Sequence, residues 1–320
     1  VKRVGAAVAG IAAALLTVCG AGKAPPQQDP EPELYGAGLF STGEWDFFLA
    51  LSPDERRALF CRANATFSSY QIYQTRLDES GHWSAPTTPR FAGSFSNADP
   101  HIAPDGHTVF FISNRPAPGQ TGAQETFDVW YATLDTTGEW SDARHVPPPV
   151  SLPDVDEWSP SVSASGNLYF GSERPSGHGG LDLWMARRAG DAYEAPVNLG
   201  DSINTAANEV EPWIAPDESY LIFSGMGRAD SVGRYDIYVS RRGRAGWRRA
   251  RPAPAGVNSR WLDFNQSVSP DGQWLYFSST RPHTGPLGER FDFPRNDSTV
   301  AGIGNRKGDI YRVPVRSLGL

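Results

Sequence analysis

The chain has 320 residues, 39% of them hydrophobic and 12% aromatic, with 29 basic against 36 acidic side chains and a formal net charge of −7. Its 33 Gly and 27 Pro exceed the average share of about 12%, yet stay below the roughly 25–30% of low-complexity chains, so the bulk of the sequence is expected to fold. Two cysteines exclude a disulfide scaffold and a cysteine-rich metal site, and the acidic balance argues against a nucleic-acid binder.

Lys2 and Arg3 precede an uncharged apolar stretch from Val4 to Val18, the pattern of a secretory signal peptide. A membrane-spanning helix needs about 20 apolar residues, so the stretch reads as a leader. Residues 1–24 are therefore assigned to a signal peptide, 25–31 to a linker, and 32–320 to the folded domain. The run Leu16-Thr17-Val18-Cys19-Gly20 resembles a bacterial lipobox, with Cys19 as the lipidated residue, although Val18 stands where a small residue normally precedes the cysteine. Ordinary cleavage near Ala21 or Ala24 is the alternative. The protein is expected to be exported to the periplasm, held on the envelope by a lipid, or released outside the cell. It would touch a membrane only through that anchor. Cys61, inside Leu59-Phe60-Cys61, is expected to be a buried core thiol.

One motif then recurs roughly every 50 to 60 residues. Its copies are Ser52-Pro53-Asp54-Glu55, Ala103-Pro104-Asp105-Gly106, Ala164-Ser165-Gly166, Ala215-Pro216-Asp217-Glu218 and Ser269-Pro270-Asp271-Gly272. Proline presets the first turn position and glycine accepts positive φ, so each copy predicts a hairpin turn. A short apolar run follows each turn, such as Leu168-Tyr169-Phe170 or Leu275-Tyr276-Phe277. A third run follows, such as Asp128-Val129-Trp130 or Asp309-Ile310-Tyr311, and then a fourth, opened by an aromatic such as Trp83, Trp140, Tyr193 or Trp247. Four short β-branched and aromatic runs per repeat, arranged in a ring, predict an all-β five-bladed β-propeller of four-stranded blades.

On Pro104-Asp105-Gly106, Phe110-Phe111 and Asp128-Val129-Trp130 with their counterparts, the chain resembles the PD40 or TolB-type WD40-like propeller repeats. The resemblance implies a propeller fold and use as an interaction platform, and implies little about activity. Blades are expected at about 46–96, 97–155, 156–208, 209–262 and 263–315. The last blade lacks a fourth strand of its own, and residues 32–40 are expected to supply it, leaving no open edge. A monomer is expected.

A residue repeated in every blade more readily serves the blade than a ligand. Arg115, Arg174, Arg228 and Arg281 follow the second strands, and Asp128, Asp182, Asp236 and Asp309 open the third. These are expected to pair as four salt bridges, with Asn64 and Gln71 replacing both members in the first blade. Aligning the turns puts Asp46, Asn97, Glu157, Glu209 and Asp263 in register, predicting an acidic ring at the channel mouth. Trp45, Asp99, His101, Trp158, Trp213, Trp261 and Asp263 are the candidate ligand-binding set, since aromatic faces stack on sugars or cations and carboxylates accept hydrogen bonds. The irregular segment from His283 to Lys307 is expected on the same face, as a lid or a plain loop. The cluster Arg241, Arg242, Arg244, Arg248, Arg249 and Arg251 is expected on a hairpin of the opposite face.

No Gly-x-Ser-x-Gly elbow appears, no cofactor motif is present, and the six histidines lack metal-ligand spacing. The first expectation is therefore an exported module that binds an envelope protein or a glycan. The alternative is a glycoside hydrolase or lyase built from carboxylates at the channel mouth, with Asp46, Glu157, Glu209 and Glu211 as candidates. Retaining and inverting glycosidases need carboxyls about 5–5.5 Å and about 6.5–9.5 Å apart, respectively.

Overall fold

The computed structural model describes residues 30–287 and 302–320. The leader, Cys19 and most of the 283–307 insertion lie outside the described residues. Within them the chain forms five blades around a common axis. The second blade consists of Asn97–Ile102, Thr108–Ser113, Asp128–Thr133 and Arg144–His145, and the third of Glu157–Val162, Leu168–Ser172, Asp182–Ala186 and Val197–Asn198. The fourth holds Asn208–Ile214, Tyr220–Met226, Tyr235–Gly243 and Arg251–Pro252. The fifth joins Asp263–Val268, Trp274–Ser279 and Asp309–Pro314 to the N-terminal Glu33–Leu34. Closure follows the expected register, with Glu33 opposite Arg312 and Leu34 opposite Tyr311. Leu34 is buried, and the Tyr35 amide extends the ladder to the Ile310 carbonyl at 2.8 Å. The borrowed strand thus covers the edge of Asp309–Pro314 that would otherwise be open to foreign strands.

The first blade departs from four strands. It has Trp45–Leu51, Arg57–Ala63 and Tyr70–Arg76, and its fourth strand shrinks to a single bridge between Gln74 and Thr87. Pro86 and Pro89 flank that bridge; neither has an N–H to donate, so the ladder cannot continue past them. Second strands such as Leu168–Ser172 are buried at every position, which explains why they read as continuous apolar runs rather than alternating ones. The repeated turns place a left-handed residue at one position: Gly106, Gly166 and Gly272 take φ of 71°, 84° and 72°, and glutamate fills the same place in two blades, Glu55 at 55° and Glu218 at 58°.

Each innermost strand also carries a bulge. The ladder slips between Phe47 and Leu49, Ala98 and His101, Val210 and Trp213, and Phe264 and Ser267, and the third blade slips opposite Tyr169 and Gly171. Phe48, Asp99, Ser159, Glu211 and Asn265 occupy these bulges with φ between 50° and 57°. An extra residue bends the strand and re-aims its side chain. Repeated around the ring, the bulges set five side chains into the hub.

Candidate functional site: two carboxyls in the hub

The in-register acids do not form an exposed ring. Asp46, Glu157, Glu209 and Asp263 are all fully buried, and each faces a guanidinium: Arg62 at 2.6 Å, Arg174 at 2.8 Å, Arg228 at 2.7 Å and Arg281 at 2.7 Å. Three also hold both the backbone N–H and the hydroxyl of the residue four positions earlier, Thr42, Thr205 and Ser259, at 2.6–2.8 Å. In the second blade the neutral Asn97 keeps the geometry, accepting from Arg115 at 2.7 Å. Burial pushes the Asp46 and Glu157 carboxyls up, and the facing arginines pull them back.

The partner expected for the repeated arginines is therefore corrected. Arg115, Arg174, Arg228 and Arg281 serve the innermost strand, not the third. Each guanidinium lies between the aromatic of the second strand and that of the third: Phe111 and Trp130, Phe170 and Trp184, Phe223 and Tyr238, Phe277 and Tyr311. Their remaining N–H groups donate to loop carbonyls, among them Val150 and Ile203. The first blade does not lose the pair. Arg62 sits directly opposite Asp46 in the ladder, two positions earlier than Asn64, and stacks on Phe60 and Tyr73. The third-strand aspartates instead hold loops. Asp182 accepts from the His178 amide and Asn198, Asp236 from the Val232 and Gly233 amides, and Asp309 from the Gly304 amide. Asp128 meets His145 at 2.6 Å.

What remains is the hub, where Asp99 and Glu211 stand apart from the other acids. Both are buried, at 6% and 8% exposure. Asp99 accepts from the Ser159 hydroxyl at 2.6 Å. Glu211 accepts from the Tyr235 hydroxyl at 2.8 Å and the Asn265 amide at 2.7 Å, while Gln266 donates to its backbone carbonyl. Among the described residues no basic side chain offsets either carboxylate. Burial, and then the Glu211 charge, raises Asp99 to about 7. Burial also raises Glu211, against the hydrogen bonds it accepts, and lifts the Tyr235 hydroxyl well above its usual range. Asp99 can thus hold a proton near neutrality, as a group that exchanges protons in acid–base chemistry must.

The candidate aromatics divide between the two ends of the channel. Trp45 and Trp158 are the first and second residues of their strands and lie on the loop face, in a chain of rings Trp45–Phe67–Tyr70–Phe127–Trp158 with successive centroids 4.9–6.0 Å apart. Tyr235 stacks on Phe264 at 5.5 Å. Trp261 lies half-buried against Arg260 and Arg306, each 5.0 Å from its ring. Trp213 and His101 belong to the other end, because the bulge intervenes between them and the starts of their strands. Both line a cavity of about 220 Å³ on the turn face with Phe48 and Tyr220. His101 hydrogen-bonds the Val162 carbonyl at 3.3 Å, and burial lowers its pKa to about 4, so it is neutral at physiological pH. The expected single binding mouth is therefore corrected to a loop-side aromatic collar and a separate turn-side cavity. Asp263 belongs to neither, being held by Arg281, Ser259 and Ser279.

Tyr70, Ser159, Tyr235 and Asn265 were not singled out as site residues by the sequence. Ser159 and Asn265 could have been, since each lies two positions after an in-register residue, as Asp99 and Glu211 do, at a place in the repeat where the side-chain chemistry changes from blade to blade. Cys61 is buried as expected. Among the described residues no group of three His, Cys, Asp or Glu gathers as a metal-ligand set.

No family model matches the sequence, and no curated protein matches it. Solved structures show a partial likeness to it. The native arabinanase Arb43A of Bacillus subtilis is 10% identical over 84% of this chain and 94% of its own, with a TM-score of 0.49. An alpha-L-arabinofuranosidase from Lactobacillus brevis is 11% identical over 87% and 92%, at 0.47. The alpha-L-arabinofuranosidase PaAbf62A of Podospora anserina is 10% identical over 89% and 93%, at 0.45. Likenesses at this level assign no activity to the chain.

Proposed function

We propose that this protein is an exported propeller of the PD40/TolB kind that acts on a glycan, as a glycoside hydrolase or lyase, at its hub. Asp99 and Glu211 are the acid–base couple, and the Trp45, Phe127 and Trp158 rings are the surfaces on which sugar rings stack. The observation that carries the reading is the pair itself: two buried carboxyls with no cation beside them among the described residues, one raised first by burial and then by the charge of the other, inside a ring where every other innermost-strand acid faces an arginine. Uncompensated titratable pairs of this kind concentrate at functional sites. Asp46, Glu157 and Glu209 are set aside from the catalytic set, because each is fully buried and its carboxylate is already bonded to an arginine, leaving no free oxygen face for a substrate.

A second reading, a binding module for an envelope protein or glycan without turnover, is favoured by the near-complete burial of both hub carboxyls. A panel of polysaccharides and aryl glycosides with product detection separates the two. Turnover that falls at least 100-fold in both Asp99→Asn and Glu211→Gln, with unfolding midpoints no lower than the parent's, supports catalysis. Binding without product, or turnover that survives both substitutions, assigns the protein to the second reading.

A further inference from the structure

The five seams between blades are not equivalent. Between the first and second blades, Arg57 and Arg76 both donate to the Gly138 carbonyl, at 2.8 and 2.9 Å, and Arg76 meets Glu139 at 2.6 Å. Between the third and fourth, Glu218 gathers Asn167, Tyr169 and Arg242 at 2.7–3.0 Å. Between the fourth and fifth, Arg241 and Arg251 reach the Gly319 carbonyl. The fifth and first are joined by rings packed edge to face, with Phe40 against Phe60 at 5.3 Å and against Trp83 at 5.6 Å.

The turn-side half of the seam between the second and third blades is instead an open cleft of about 890 Å³, at the upper end of the size of small-molecule sites. Tyr131 and Arg144 stand on the second-blade wall, Tyr193 and Arg188 on the third-blade wall, and Phe110 and Val162 lie between them. Most of the charges that line it are already committed. Arg188 lies over the Tyr193 ring at 5.2 Å and meets Asp191 at 3.7 Å. The carboxylate of Asp105 accepts from the His107 and Thr108 amides and the Thr108 hydroxyl, and His145 is held by Asp128. Arg144 is the exception. Its side chain is exposed and, among the described residues, makes no hydrogen bond and no ion pair.

We propose that this cleft binds a carboxylate carried on a ring, its charge received by Arg144 and its flat body by the Tyr131 and Tyr193 rings. A guanidinium presents paired N–H donors that match a carboxylate, and aromatic walls reward a flat apolar face. The same chemistry is found in a uronic-acid residue of a glycan and in an aromatic carboxylic acid. The site is separate from the hub and does not depend on the activity assigned there.

Titration calorimetry of the full chain with oligoglucuronate, with neutral oligoglucose and with benzoate tests it. At least one of the two acids binds, the neutral oligosaccharide binds at least tenfold more weakly, and raising the salt weakens the complex. Preference for oligoglucuronate identifies a glycan source, and preference for benzoate an aromatic acid. Arg144→Gln and Tyr131→Ala each weaken binding tenfold or more, whereas Arg187→Gln, on an exposed arginine outside the cleft, leaves it unchanged. Both substituted residues lie at the surface of the cleft, and unchanged unfolding midpoints confirm that the fold is intact. Binding also persists in Asp99→Asn, which separates this site from the hub. Failure of both acids to bind, equal binding of the neutral sugar, or indifference to Arg144→Gln overturns the proposal.

Discussion

Arg228→Met tests the reassignment of the repeated arginines. The substitution leaves the Glu209 carboxylate, which is fully buried, without its guanidinium at 2.7 Å. It also removes the donor to the Ile203 carbonyl at 2.8 Å and the cation 4.3 Å from the Tyr238 ring. Both side chains are at most 5% exposed, so the appropriate scale is that of a broken buried pair, about 3–5 kcal/mol, and not the fraction of a kcal/mol of a surface bridge. At about 2 °C per kcal/mol for a domain of this size, the midpoint falls by roughly 6–10 °C. Glu209→Gln in the same molecule removes the stranded charge while keeping an acceptor for Thr205, so the double variant recovers about 2 kcal/mol relative to the sum of the singles. Asp236→Asn supplies the contrast. Asp236 holds the Val232 and Gly233 amides, so its loss costs about 1–2 kcal/mol, as a loop cap does, and combines additively with Arg228→Met within about 0.5 kcal/mol. Guanidinium chloride unfolding followed by tryptophan fluorescence, with thermal midpoints alongside, measures all four quantities. Coupling of Arg228 to Asp236 instead of Glu209, or an Arg228→Met protein as stable as its parent, refutes the lock.

Two further outcomes follow from the hub and the turns. Asp99 titrates near 7 when folded, above its unfolded value. Its contribution is therefore fully present below about pH 4 and is lost as pH rises to about 7, at 1.36 kcal/mol per pH unit and roughly 4 kcal/mol in all. Asp99→Asn is expected to be more stable than the parent at pH 8, and the difference to vanish near pH 4; a difference that stays flat across that range shows that the carboxyl is not held protonated. Glu55→Gly relieves a left-handed residue and stabilises by about 0.5–1 kcal/mol. Glu218→Gly relieves the same backbone but loses Asn167, Tyr169 and Arg242, and destabilises by about 1–2 kcal/mol. Paired chemical-denaturation curves decide the signs, and equal signs for the two variants contradict the assigned role of Glu218.

The repeat, the turn chemistry and the fourth strand borrowed from residues near Glu33 could be read in the sequence because they are local patterns. A proline and a left-handed residue specify a turn wherever they occur, and a run of apolar residues buried on both faces is continuous in any sheet. The in-register position of Asp46, Asn97, Glu157, Glu209 and Asp263 was equally legible by alignment, but its meaning was not. Whether a carboxylate faces solvent or an arginine depends on which strand lies beside it, and the partner of Arg228 is Glu209, 19 residues away, rather than the nearer Asp236. Spacing along the chain favoured the wrong aspartates.

The hub shows the same division more sharply. A bulge is invisible in composition, yet one extra residue per innermost strand turns Asp99 and Glu211 inward and sends His101 and Trp213 to the opposite end of the channel from Trp45 and Trp158. Sequence determined that this chain closes a ring of five blades and which residues repeat within it. Only the tertiary structure decided which acids are neutralised and which are left to titrate, because that choice is made by contacts between strands and blades that no local pattern encodes.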